Sequence, residues 1–222
     1  EDPNFSLEGG MGIATGAFSL LFGVGLFMVL PSLLAGQAPS HNALQFNFWE
    51  GGIRLAILVA YILLISRAKD IRRVFAYHGA EHKTINAYED GVPLTVENVR
   101  GYSRQHARCG TAFLLMVVLI SVLVMAPFGR PPLLVRVASR LVLLPVISGI
   151  SYEVLRFTGK HRSHPLVRII IAPNLLLQNL TTREPDDDML EVAITALQAV
   201  LVGEKAAIEE AAEAVIPSPV GA

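Results

Sequence analysis

Apolar residues run through this chain in long, nearly unbroken blocks separated by short polar stretches, which is the pattern of helices that cross a bilayer. Four blocks approach the about 20 residues that a crossing needs: "GIATGAFSLLFGVGLFMVLPSLLAG" (12–36), "IRLAILVAYILLIS" (53–66), "TAFLLMVVLISVLVMAPFG" (111–129) and "LLVRVASRLVLLPVISGISYEVLRF" (133–157). In the first, Gly12, Gly16, Gly23 and Gly25 would let another helix approach closely. The second extends back through Trp49, an interfacial anchor. The third is the most apolar, whereas the fourth carries Arg136, Arg140, Glu153 and Arg156.

The stretches between these blocks follow other periods. Residues 70–90 alternate basic and apolar positions without a proline, which predicts a helix, and a turn at Gly91-Val92-Pro93 leads to a new helix with Thr95 as N-cap. "HPLVRIIIAPNLLLQNL" (164–180) is apolar but short, and Pro173 and Asn174 are expected to interrupt it, so it reads as an interfacial or re-entrant piece. A fifth crossing there would put the tail on the other side. The tail predicts one amphipathic helix with the stripe Met189, Val192, Ala193, Ala196 and Val200, ended by Gly203. In "TTREPDDDM", Pro185 and Asp186 to Asp188 suit helix initiation at the positive end of the dipole better than a hard-cation site.

Composition agrees with the membrane class: 52% of the 222 residues are hydrophobic and 17% charged, with a mean hydropathy of +0.50. A net charge of −1 argues against a general nucleic-acid binder, so membrane lipids and other membrane-protein subunits are the expected partners. The single cysteine, Cys109, excludes an internal disulfide. "EDPNFSLEGG" follows no initiator methionine and lacks the parts of a signal peptide, which suggests a truncated or processed product.

Lysine and arginine set the orientation. Arg67, Lys69, Arg72, Arg73, Lys83, Arg100, Arg104 and Arg108 fall between 67 and 110, while 36–48 holds none, so the 67–110 loop and both termini are expected in the cytoplasm. The basic "GKHRSHPLVR" after the fourth span agrees. The expected fold is all-α, a polytopic membrane helical bundle with about four transmembrane helices, a cytoplasmic helical loop and a cytoplasmic amphipathic helical tail. Its parts are an N-terminal tail (1–11), the bundle (12–157, including loop 67–110), an interfacial segment (158–180) and the tail (181–222).

Candidate chemistry gathers in the loop. On a helix His78 and His82 stand one turn apart, and His78-x-x-Glu81-His82 has the inverted zincin order, in which two histidines bind zinc and the glutamate is general base. His106 and Cys109 in "SRQHARCGTAF" would share a face if helical, at the same membrane boundary. Three histidines and a cysteine make a closed, structural zinc shell if all four bind, and an open one if three do. The plainer reading is a small buried cysteine beside Gly110 and an interfacial His106 among arginines. Glu153 reads as an ion-pair partner of Arg156 or Arg140, or alternatively as a distal metal ligand. His161 and His164, in a basic loop with Lys160 and Arg162, are expected to meet lipid phosphates.

The blocks "YHGAEHKTINAYEDGVPLTVENVRGYSRQHARCGTAFLL", "RLVLLPVISGISYEVLRF" and "LTTREPDDDMLEVAITAL" resemble the YqhQ-like family of bacterial multi-span membrane proteins. That family has no established activity and is commonly labelled a predicted metal-dependent enzyme. The resemblance implies a multi-pass protein of the bacterial inner (plasma) membrane. It also implies a further N-terminal portion of the same protein, with a "GGQAVIEGVMMR"-like block that this sequence lacks. Three readings stay open. One is a metal-dependent hydrolase with zinc on His78 and His82 and Glu81 as base, its shell completed by His106, Cys109 or Glu153. Another is an accessory or scaffold subunit with a structural metal or none. The third, a transporter with a charged path, is disfavoured by the sparse charge within the spans.

Overall fold

The computed structural model describes residues 10–161 and 164–215, and those residues form helices and turns with no strand among them. Residues 1–9, 162–163 and 216–222, among them the start of the expected N-terminal tail, Arg162 and the end of the expected C-terminal tail, lie outside them. The elements are α1 (Gly10–Val24), a π-helical turn (Gly25–Val29), α2 (Leu30–Ala35), α3 (Ala43–Ile65), α4 (Lys69–Glu89), α5 (Val96–Arg100), α6 (Gly110–Met125), α7 (Leu133–Lys160), α8 (Pro165–Thr181) and α9 (Asp187–Val215). They divide into two compact units. One comprises the chain up to Ile65 together with Ala107–Asn174; the other comprises Ser66–His106 and the chain from Leu175, so the division falls within α8.

In the first unit, three helical runs are long and apolar enough to cross a membrane: Gly10–Ala35, Ala43–Ile65 and Leu133–Lys160. The third expected span is shorter. Its α-helix covers 16 residues, because Ala126–Phe128, containing Pro127, tightens into a 3₁₀ turn and Gly129 takes φ 72°. α3 begins well before Trp49, since Asn42 accepts from the backbone N–H of Gln45 at 2.8 Å and so caps the helix. The longer helix brings Glu50 into the bundle. α3 packs on α2 and α6, and α6 on α7. Gly51 lets α6 approach, for a Cβ there would run into the side chain of Val122.

The centre of this unit is polar. Glu50 is 1% exposed; it accepts from Arg54 at 3.1 Å and pairs with the buried Arg140. Arg54 also donates to the Ser121 hydroxyl at 3.0 Å, and Asn47 donates to the Met125 carbonyl at 3.4 Å. Arg140 thus takes Glu50 as partner, while Glu153 pairs with Arg156 at 3.7 Å on the exposed side of α7.

In the second unit α4 packs against α9 and α5, around Ala80, Ala87, Val99, Leu190 and Ile194. Thr95 caps α5, accepting from the Asn98 N–H at 3.4 Å, and Gly91 (φ 71°) makes the preceding turn, both as expected. Three expectations are corrected. α8 runs unbroken, because Pro173 lies inside the helix and Asn174 is buried rather than in a loop. α9 continues through Gly203 to Val215, since the following "EKAAIEEAAEAV" is made almost wholly of strong helix formers. The face of α9 in the core centres on Leu190 and Ile194, flanked by Met189 and Ala193 of the expected stripe, while Val192, Ala196 and Val200 are exposed. The start of α9 follows the acidic reading: Asp186 accepts from the Met189 N–H at 3.0 Å, and Asp187 receives a two-pronged bond from Arg100 at 3.0 and 2.6 Å.

Candidate metal site

His78, His82, Asn86 and Glu89 recur along α4 at spacings of four, four and three, which puts them on one face of the helix. Against it lies the irregular segment 101–106 of the same unit. The His82 Nδ1–H donates to the Arg104 carbonyl at 2.7 Å, and Asn86 donates to the carbonyls of Ser103 (2.8 Å) and Gln105 (3.0 Å). The Glu89 carboxylate meets His106 Nε2 at 3.2 Å. His78 turns the other way along the helix, donating from Nδ1 to the Thr181 carbonyl at 2.9 Å.

Because a carbonyl oxygen only accepts, both Nδ1 atoms carry the proton. In the neutral ring, that tautomer leaves the lone pair on Nε2. The rings of His78 and His82 sit 4.3 Å apart, and their ligating atoms lie within 4.8 Å of one another. His106 is next in the row, its ring 5.8 Å from that of His82. His82 and His106 are buried. A ring nitrogen fixed on a backbone carbonyl, with its fellow left to ligate, is the usual support of a metal-binding histidine. The donor set therefore fits a borderline-soft ion of the zinc class, which sits about 2.0–2.1 Å from each nitrogen.

The loop itself is held from three sides. Arg104 donates to the Thr182 carbonyl at 3.1 Å, and Gln105 to Leu175 O and Asn179 Oδ1, each at 3.0 Å. Lys83 reaches the Arg100 carbonyl at 2.8 Å and pairs with Glu184. Gln178, fully buried, takes the N–H of His106 and donates to its carbonyl, both at 2.8 Å. Substituting Gln178→Leu strands that N–H and C=O and is expected to cost about 2–4 kcal/mol, since each unsatisfied buried group costs about 1–3 kcal/mol. Amide hydrogen exchange at residues 104–106 should accelerate in the variant; unchanged protection there would refute this account of the clamp.

The other expected residues are placed as follows. His106 and Cys109 do not share a helix face, because 101–109 is not helical and Cys109 is the N-cap of α6. Its Sγ accepts from the Thr111 N–H at 3.4 Å, and the side chain packs with Leu155 and Phe113 in the first unit. Glu81 is exposed and borders a groove between α4 and α9, beside Tyr77, Val192 and Ala196. His161 bonds the Phe157 carbonyl at 2.9 Å and closes α7. Glu89 and Gln178 were not anticipated. The first was legible as a further polar residue on the histidine face, after Asn86, but nothing in the sequence marks Gln178.

Comparison with known proteins adds a family. Residues 3–203 match the family described as "Protein of unknown function (DUF1385)". The chain is 42% identical over 189 residues to the Uncharacterized protein YqhQ of Bacillus subtilis (strain 168), an alignment covering 84% of this chain and 59% of that relative. The chain therefore spans less than two thirds of the relative's length. No solved structure matches it.

Proposed function

The chain belongs to the DUF1385 family, and on that premise we propose that it is a multi-pass protein of the bacterial inner membrane whose extramembrane helical unit holds a zinc-class ion. The observation that carries this reading is the pair of Nδ1–H bonds to Thr181 O and Arg104 O, which set the tautomer with the lone pair on Nε2 in two rings one turn apart. His106, whose ring lies 5.8 Å from that of His82 in the same unit, is the third ligand of this reading. The excess of lysine and arginine in 67–110 supports a cytoplasmic location for the site and for both termini.

The role we assign to the ion is structural, fastening the 101–106 segment to α4, in the manner of an accessory or scaffold subunit. A hydrolase would need a carboxylate base beside the ion. Glu81, the residue with the right spacing, is exposed on the α9 groove, which favours the structural role. Metal analysis of the purified chain should find about one zinc per protein, and His78→Ala/His82→Ala close to none. Chelation should lower the unfolding temperature of the wild type and leave that of the double variant unmoved. A wild type that neither retains nor takes up zinc would end the proposal, and a zinc-dependent hydrolytic turnover abolished by Glu81→Gln would replace the structural role with a catalytic one.

A further inference from the structure

The first unit contains a cavity of about 250 Å³ whose walls change character along the helix axes. At one end stand Arg54, Ser121 and Arg140; Leu58, Leu114 and Ile147 line the other. The steps from Arg54 to Leu58 on α3 and from Arg140 to Ile147 on α7 run the same way along the bundle as the step backwards from Ser121 to Leu114 on α6. Four to seven residues of helix rise about 6–10 Å, so the polar end gives way to the apolar one over about that distance.

The polar end is not electrically balanced. Arg54 and Arg140 face the single carboxylate of Glu50, and the remaining polar neighbours, Asn47 and Ser121, are neutral. Arg136, near the same end of α7, adds a further positive charge over the Phe46 ring. The Nε atoms of Arg54 and Arg140 are buried with no hydrogen-bond partner among the described residues. Uncompensated positive charge within membrane-spanning helices is costly and calls for an anion. The adjoining walls, almost wholly apolar, call for a hydrocarbon.

We propose that this cavity binds an anionic amphiphile, with a carboxylate or phosphate head between Arg54 and Arg140 and an alkyl chain along Leu58, Leu114 and Ile147. Such a ligand supplies the missing negative charge and fills the apolar end at once. A free inorganic anion would do only the first, and a neutral lipid only the second.

The test measures binding to the purified full chain by displacement of a fluorescent fatty acid, with native mass spectrometry of the bound species. Four competitors are compared: oleate, oleoyl lysophosphatidate, oleyl alcohol and inorganic phosphate. At least one of the two charged lipids should compete about tenfold or more better than the alcohol and the phosphate, and whichever is tighter assigns the head group. Arg54→Gln keeps the Glu50–Arg140 pair and should remove the preference for the charged lipid over the alcohol. Val117→Phe and Leu144→Phe, which intrude on the cavity without touching the charges, should each weaken the charged lipid about tenfold. Equal competition by oleate, lysophosphatidate and oleyl alcohol would overturn the proposal. So would undiminished binding in a folded Val117→Phe or Leu144→Phe protein.

Discussion

Glu50→Ala is expected to destabilise the first unit by about 3–5 kcal/mol, the usual cost of removing one partner from a buried ion pair. Glu50 is 1% exposed and is the shared acceptor of Arg54 and Arg140, so its loss leaves two guanidiniums facing each other across α3 and α7 with no counter-charge. Water is scarce in such a place, which makes the unpaired charges more costly than at a surface. The variant should unfold at lower temperature in detergent than the wild type, and Glu50→Gln should fall between them, because the amide still accepts a hydrogen bond while losing the charge. The triple replacement Glu50→Leu/Arg54→Met/Arg140→Met should recover most of the loss, since apolar residues of similar size satisfy a buried site without ions. If Glu50→Ala unfolds with the wild type, the triad is not a stabilising element and its geometry serves something else.

That triad also marks where reading the chain alone stops. The long apolar blocks announce α1, α3 and α7 because a crossing helix needs little besides length and hydrophobicity. The Gly91 turn and the Thr95 cap are likewise local, each written in three or four consecutive residues. Glu50 and Arg140 are far apart in sequence, and no local pattern says that they meet; the nearer pairing of Arg156 with Glu153 is the one visible in the sequence. The histidines divide in the same way. His78 and His82 were legible as a one-turn pair on α4. His106 reads as helical until its backbone is seen bonded to Gln178, which holds the segment in an irregular path. Proline misled at Pro173. Its missing N–H costs a helix one internal bond, and the rest of α8 absorbs that loss.

Gly79→Val should be the most damaging single change in the second unit, and Gly79→Ala should cost about 1–3 kcal/mol on its own. Gly79 sits on α4 one residue after His78, where a Cβ would drive into the carbonyl oxygen of Arg183, a backbone atom that cannot swing aside. The same strand of chain is fixed there, because the Arg183 N–H donates to the Phe75 carbonyl at 2.8 Å, just over one turn earlier on α4. A side chain at 79 therefore has to push the 181–184 segment off the helix. That displacement would take with it the Thr181 carbonyl that orients His78, the Thr182 carbonyl that holds Arg104, and the Glu184 partner of Lys83. Alanine ordinarily favours a helix over glycine by about 1 kcal/mol, so a net loss of stability in Gly79→Ala would show the steric term prevailing over propensity. The same variant should bind zinc more weakly than wild type even though no proposed ligand is altered. A stabilised Gly79→Ala protein with undiminished metal content would mean that the 181–184 segment is free to yield, and that His78 is not oriented from there.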